Sequence, residues 1–432
     1  MRKFLYSVFM LAVVVLTACS NDDNGDTQPK RGMTLNASVE DLSSRATMTD
    51  ESGTWKFAFA ANDQVSVSNS KITNYYTFTN NGSQFTCAQA EVTKEAADWY
   101  AYFPGNEVDL TNQTGNFADV ANKFAVAGGT ALATTGEKGL SITLKPKVAV
   151  LRVVAVDKKG ILDIHVKTAD KWVKGLTATK DATDFTVSTS DTKTTLLHKA
   201  EGTVNAGEIN YVVVPAGVKI AIYNGDLLLN TTKVGLTAGK YYTITSGPTK
   251  GKTNALINGQ ETPVEWVQLW AGGPRFAIQN VAEEMTWTDA ANTGKEYVWG
   301  ENWRTPTAAE VTEEGGLQAE WNTKEGKWVV KEGSPTINVT TKDGIEETVE
   351  FTGVQPGYTK NTLTLYNKID SHGYSHFNFW TTTENNGYGC MYRIMIDKGI
   401  IGIFGPSSFE SKDTKCLVRP VLSIQNITNN KK

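Results

Sequence analysis

From about Met33 to Thr245 the chain runs as short apolar segments cut every ten or so positions by turn residues, a spacing that suits strands and leaves little room for helices. The segment Gln64-Val65-Ser66-Val67-Ser68 alternates polar and apolar side chains with the period of two that a half-buried strand requires. Asn74 to Phe78, Trp99 to Phe103, Val148 to Val156, Tyr211 to Val214 and Val218 to Tyr223 are further runs of strand length. Asn80-Asn81-Gly82, Pro104-Gly105-Asn106, Lys158-Lys159-Gly160 and Asn224-Gly225 punctuate them. No amphipathic window of three helical turns occurs in this stretch. Composition agrees, since 55 of the 432 residues are Thr and 38 are Gly, an excess that favours strands and turns. The expected architecture is mainly β, with two antiparallel sandwich lobes over residues 46–145 and 146–247.

Acidic residues number 46 and basic residues 42, and the net charge of -4 is spread without a basic stripe, so a nucleic-acid partner is excluded. Thr245-Ser246-Gly247-Pro248-Thr249-Lys250-Gly251-Lys252 reads as a linker. Beyond it the composition changes: eight of the eleven Trp lie after residue 250, which marks a separate domain over 253–432. Within that domain Thr307-Ala308-Ala309-Glu310 is a capping box, in which hydroxyl and carboxylate each take the other residue's amide, and Gly315-Gly316 ends the short helix it starts. Met391 to Ile396 and Gly399 to Phe404 pair about the Asp397-Lys398-Gly399 turn. The class of this last domain is α+β with little helix.

At the other end, Arg2 and Lys3 precede an apolar run from Phe4 to Ala18, too short for the roughly 20 residues of a spanning helix, so residues 1–18 read as a signal peptide. Leu16-Thr17-Ala18-Cys19 resembles the bacterial lipobox. That resemblance implies acylation of Cys19 and anchoring of the precursor in the outer membrane through lipid. Ser20-Asn21-Asp22-Asp23 resembles the acidic tract that sends lipoproteins of Bacteroidota to the cell surface. Residues 19–45 are then a lipidated tether and pro-segment, polar from Asn21 to Gly32 with little to bury. Export permits disulfides, and Cys390 with Cys416, which share a domain, is the candidate bridge, while Cys87 is expected as a buried apolar side chain. No CxxC pair and no His-rich cluster is present, so neither a metal nor a cofactor is expected.

Trp55-Lys56-Phe57, Asn62 to Val67, Tyr75-Tyr76-Thr77-Phe78, Phe85-Thr86 and Trp99-Tyr100-Ala101-Tyr102-Phe103-Pro104, in that order, resemble the start of a fimbrillin domain of Bacteroidota. The resemblance reaches to about residue 247 and departs at Asn62-Asp63, where the family more often has Gly-Asp. It implies two transthyretin-like β-sandwich lobes and polymerisation into pili by exchange of a β-strand, once a protease cuts after an Arg in the N-terminal segment. Arg45, in Ser43-Ser44-Arg45-Ala46-Thr47, occupies the matching region, so cleavage would leave Ala46 as the new N-terminus.

The last 170 or so residues resemble a paralogous surface domain first noted in Fibrobacter, with a C-type-lectin-like fold. The resemblance rests on Trp266 to Trp270, Phe276 to Val281, Tyr297 to Thr307, Phe351 to Tyr358, Phe379 to Thr383 and Val418-Arg419-Pro420-Val421. Asn302-Trp303-Arg304 and Val418-Arg419-Pro420 suit a scaffold role, with Trp filling the core and Arg bonding loop carbonyls. In such a fold function sits on the long irregular loop, here about Gly357 to His376 plus Glu384 to Tyr388. Its candidates for ligand contact are Tyr358, Asn361, Tyr366, Asp370, His372, Tyr374, His376, Asn385, Asn386 and Tyr388. Aromatic faces stack on sugar rings and amides pair with hydroxyls, but Tyr and Asn equally suit a protein ligand. The Glu-Pro-Asn and Gln-Pro-Asp calcium signatures of sugar-binding C-type lectins are missing, and no G-x-S-x-G, H-E-x-x-H or P-loop is present.

Together these features lead to the expectation of a fimbrial tip subunit and adhesin. It would be a surface lipoprotein precursor that loses its pro-segment, takes a strand from another fimbrial subunit, and presents a head to a glycan or protein on a host or bacterial surface. A non-polymerising surface lipoprotein and a glycan-active enzyme are the competing classes; the expectation is that the chain is not an enzyme.

Overall fold

A computed structural model describes residues 31–39, 49–50, 53–54, 59–91, 97–133, 139–157, 160–281, 283–291, 298–312, 316–324, 327–330, 334–342, 346–353, 361–366, 368–369, 375–397 and 400–423. The protein is mainly β, as its turn spacing predicts. In the first lobe seven strands hydrogen-bond into a ring in the order β1 (Arg31–Val39), β10 (Leu140–Pro146), β9 (Val126–Ala133), β7 (Ala97–Phe103), β4 (Gln64–Asn69), β5 (Tyr76–Asn80) and β6 (Phe85–Glu91), which returns to β1. A two-residue pair, β2 (Thr49–Asp50) with β3 (Gly53–Thr54), lies apart from the ring. The alternating segment at β4 does not leave its polar face in water. Ser66 and Ser68 are buried too, and Ser66 Oγ bonds the Asn106 side chain (3.2 Å) and its backbone amide (3.1 Å).

The second lobe packs a small sheet, β16 (Ile209–Pro215), β11 (Val148–Val154) and β19 (Tyr241–Thr245), against a larger one. The larger sheet runs β14 (Phe185–Ser190), β13 (Lys171–Ala178), β12 (Gly160–Thr168), β17 (Ala221–Asn224), β18 (Leu227–Thr231), with β15 (Leu197–Val204) also on β12. The division near residue 145 is only approximate, because β8 (Glu107–Asp109) pairs with β13. Gln113 likewise crosses over: it donates to Val213 O (2.9 Å) and accepts from Val213 N (2.7 Å). Tyr102 of β7 reaches the other way, its hydroxyl donating to Ala182 O at 2.7 Å with Thr179 O at 2.9 Å. Burial pushes its phenol up to about 12. A single apolar core runs through both lobes, from Met33 to Leu236.

The expected linker is short. Residue Lys250 already belongs to β20 (Lys250–Ile257), which forms a hairpin with β21 (Gln260–Gln268) and opens a five-stranded sheet completed by β22 (Arg275–Ala277), β33 (Val421–Leu422) and β23 (Trp303–Arg304). This third region also holds β24 (Ala319–Asn322) with β25 (Lys327–Val330), and a sheet of β26 (Thr336–Lys342), β27 (Glu346–Thr352) and β28 (Thr362–Tyr366). A four-stranded sheet of β29 (Lys368–Ile369), β30 (Ser375–Asn385), β31 (Tyr388–Asp397) and β32 (Ile400–Glu410) completes it. The helices among its described residues, α1 (Trp287–Ala291) and α2 (Ala308–Thr312), are five residues each.

The capping box forms as read. Thr307 Oγ1 accepts Glu310 N (3.1 Å) and Glu310 Oε2 accepts Thr307 N (2.8 Å), while Arg304 grips both oxygens of the same carboxylate. Burial raises the Glu310 carboxyl, but the bonds from Arg304 and Thr307 outweigh it and hold it below its ordinary value. Trp303 and Arg419 serve the scaffold. Trp303 Nε1 donates to Asn254 O (3.1 Å), and fully buried Arg419 donates to Ala277 O (3.1 Å).

Cys390 and Cys416 correct an expectation. Both are buried thiols, as is Cys87, and no bridge joins them. Cys390 is held opposite Phe409 on β32 and Cys416 opposite Met285, each by its own backbone pairing.

Candidate functional site

β1 is the seam of the first lobe. It runs parallel to β10, with Leu35 opposite Leu140 and Val39 opposite Leu144, and antiparallel to β6, with Met33 opposite Cys87 and Leu35 opposite Phe85. Alternate side chains enter the core. Met33 and Leu35 are buried and Ala37 and Val39 pack on the same cluster, while Asn36 and Ser38 are exposed. The neighbouring chain is shaped to this strand: a Cβ on Gly139, at φ 70°, would sit 2.1 Å from Thr34 Oγ1. Taking β1 away would bare two strand edges with their unmet donors and acceptors, above a slot previously filled by Met33 and Leu35. The strand-like runs read from about Met33 thus begin within the expected pro-segment of residues 19–45, where Arg31–Val39 is an integral strand.

The processing and lipid residues, Arg45, Ala46 and Cys19, lie outside the described residues, as do Tyr358, Asp370, His372 and Tyr374. The remaining candidates of the third region do not converge. Asn361 is 4% exposed and its amide donates to Gln268 O (2.9 Å) and Thr249 O (3.3 Å), so it is a structural amide at the root of the domain and not a ligand contact. Tyr366 ends β28, in a different sheet from the rest. His376 and Asn385 stand near opposite ends of β30, about 30 Å apart at strand rise. One small ligand cannot touch both.

Asn385, Asn386 and Tyr388 do stay together, at the tip of the β30–β31 hairpin. Asn385 pairs with Tyr388 across a two-residue turn, Asn386 (φ 51°) and Gly387 (φ 86°), both in the left-handed conformation that matches strand twist. Tyr388 is 52% exposed. Beside the tip Lys412 Nζ lies 4.5 Å above the Trp287 ring and 2.8 Å from Glu384 Oε2, and Trp287 Nε1 donates to Thr381 O (2.9 Å). Gly389 lets that ring lie flat on the strand, since a Cβ there would be 2.2 Å from Trp287 Cδ1. Sequence reasoning missed Trp287 and Lys412. The Trp excess after residue 250 was the one signal pointing to the first, and nothing local pointed to the second.

No family model and no curated protein matches the chain. Among solved structures it is similar to a fimbrial protein from Bacteroides ovatus, at 13% identity over 92% of this chain and 100% of that one, with a TM-score of 0.26. Two candidate cell adhesion proteins are also similar. One, from Bacteroides ovatus, matches at 9% identity over 55% of this chain and 96% of that one (TM-score 0.32); the other, from Bacteroides uniformis, at 14% over 55% and 98% (TM-score 0.30). At TM-scores of this size the likeness decides neither family nor function.

Proposed function

We propose that this chain is the tip subunit and adhesin of a cell-surface fimbrium. Its precursor is anchored through lipid on Cys19, a protease cuts between Arg45 and Ala46, and release of β1 frees the seam between β6 and β10 for a strand from the next subunit. The observation that carries this reading is the place of β1. It precedes Arg45 in the chain, and it is the link through which β6 and β10 close the ring. Strand addition needs such a bared edge with pockets for alternate side chains, and Met33 and Leu35 occupy pockets of that kind.

The third region supports the tip position. A stem subunit donates a free strand from its end, whereas here β19 continues directly into β20 and the head. The hairpin tip with Asn385, Asn386 and Tyr388, flanked by Trp287, is the surface we assign to a glycan or protein ligand. N-terminal analysis of the surface-exposed protein tests the reading. Ala46 as first residue is the expected result, and acylated Cys19 as the sole surface species would replace it with a lipoprotein that never polymerises.

A further inference from the structure

Asn210, on β16, is 0% exposed, and apart from a loose contact with the Glu208 carboxylate neither its amide nitrogen nor its amide oxygen meets a partner in good hydrogen-bond geometry. A buried carboxamide held by so little recovers little of its lost hydration, so such a group calls for a chemical reason.

Its surroundings supply one. The Glu208 carboxylate lies beside the Asn210 side chain and takes Lys199 Nζ at 2.9 Å through Oε1, while its Oε2 accepts Asn205 N at 3.0 Å. Gly115 covers the group from above. A Cβ at that position would be 2.8 Å from Asn210 Oδ1 and 3.3 Å from Lys199 Cε, so the amide and the lysine stem converge on one point. An amine, a carboxamide and a carboxylate between them are thus held together, largely out of water, by a turn that carries β15 of one sheet into β16 of the other.

We propose that Lys199 and Asn210 join in an intramolecular isopeptide bond, with Glu208 as the proton carrier. Glu208 accepts a proton from the Lys199 ammonium, and the neutral Nζ attacks Cγ of Asn210. The Cγ–Nζ bond forms and the Cγ–Nδ2 bond breaks. Two of the three ammonium protons of Lys199 end on the departing nitrogen, which leaves as ammonium, and the third stays on the new amide. Charge and atoms balance with no oxidant, reductant or co-reactant. Gathering the amine and the carboxamide about one carboxylate replaces an encounter by a held arrangement, and the carboxylate serves as base and then acid. Burial raises the Glu208 carboxyl, but the Asn205 amide, Lys199 and the Asn210 side chain outweigh it and hold it below its ordinary value, which keeps it ionised beside the amine. The product removes the poorly bonded amide nitrogen and staples the two sheets of the second lobe.

Peptide mass mapping of the folded, purified full chain decides the matter. Trypsin normally cuts after Lys199. With the bond present that cut is lost, and residues 194–219 emerge as one peptide lighter than its sequence by one ammonia. Glu208→Gln and Lys199→Arg are each expected to give peptides at their sequence masses, with cleavage after residue 199 restored. Wild-type peptides 194–199 and 200–219 at unaltered mass would overturn the proposal. So would ammonia loss with the cut retained, which marks a succinimide at Asn210. The wild-type map decides even if a variant fails to fold.

Discussion

Among the described residues each of the two lobes contains one parallel strand pair, and the pairs sit at opposite ends of their lobes. In the first lobe the pair is β1 with β10, and β1 is the first of the described strands. In the second it is β11 with β19, and β19 is followed within a few residues by β20. That continuation is bonded down. Gln268 donates to Val156 O (3.1 Å) and Gly273 O (2.9 Å), buried Arg275 pairs with Asp157 (2.9 Å), and Asn361 bridges Thr249 and Gln268. The difference teaches where exchange is feasible. A strand can leave only where the chain on one side of it carries no further packed structure, and β19 does not meet that condition.

Removing β1 has the largest expected effect. A chain beginning at Ala46 should lose protection of the β6 and β10 amides in hydrogen exchange while β11 and β16 keep theirs, and a peptide of residues 31–39 should restore it. If β11 and β16 open equally, the two lobes are one unit and the contrast fails. Within the intact chain, Leu35→Ala is expected to cost about 2–5 kcal/mol, because Leu35 is completely buried; the urea midpoint measures this.

Asn361→Ala tests the locked side. It strands two buried carbonyls, for a loss of about 1–3 kcal/mol, and tryptic cleavage at Lys250 and Lys252 should quicken while β1 stays protected. Glu310 sharpens the comparison through pH. Its carboxyl is held below the ordinary 4.5, so the stabilisation is complete above that pH and is lost as pH falls through the folded value. Glu310→Gln should flatten the denaturation midpoint between pH 6 and pH 3, two pH values chosen to span roughly the carboxylate range. Smallest in stability is Tyr388→Ala, within about 0.5 kcal/mol for a half-exposed side chain, although ligand capture by the head should fall.

Features set by neighbours in sequence were legible. The capping box at Thr307, the β31–β32 hairpin about Asp397, and the scaffold roles of Trp303 and Arg419 all follow from a few adjacent residues. What stayed hidden depends on distant partners. Strand-like runs were legible from about Met33, but that Arg31–Val39 closes the ring depends on Leu140–Pro146, about a hundred residues later, and no local pattern shows that pairing. Asn361 was hidden for a related reason: a loop asparagine that binds a ligand and one that bonds buried carbonyls have the same composition around them. The ligand candidates also scattered because strand length separates residues that a loop would have gathered, as His376 and Asn385 on β30 show.

The bonds of Gln268, Asn361 and Arg275 have a mechanical consequence. A head hung on a flexible tether lets an attached cell swivel and spreads a pull over all directions, whereas these bonds tie the head to the second lobe. On the proposed reading, drag on a ligand held at Tyr388 would pass as torque into β11 and β19, and the subunit's bearing toward flow would be set by how its first lobe is seated below.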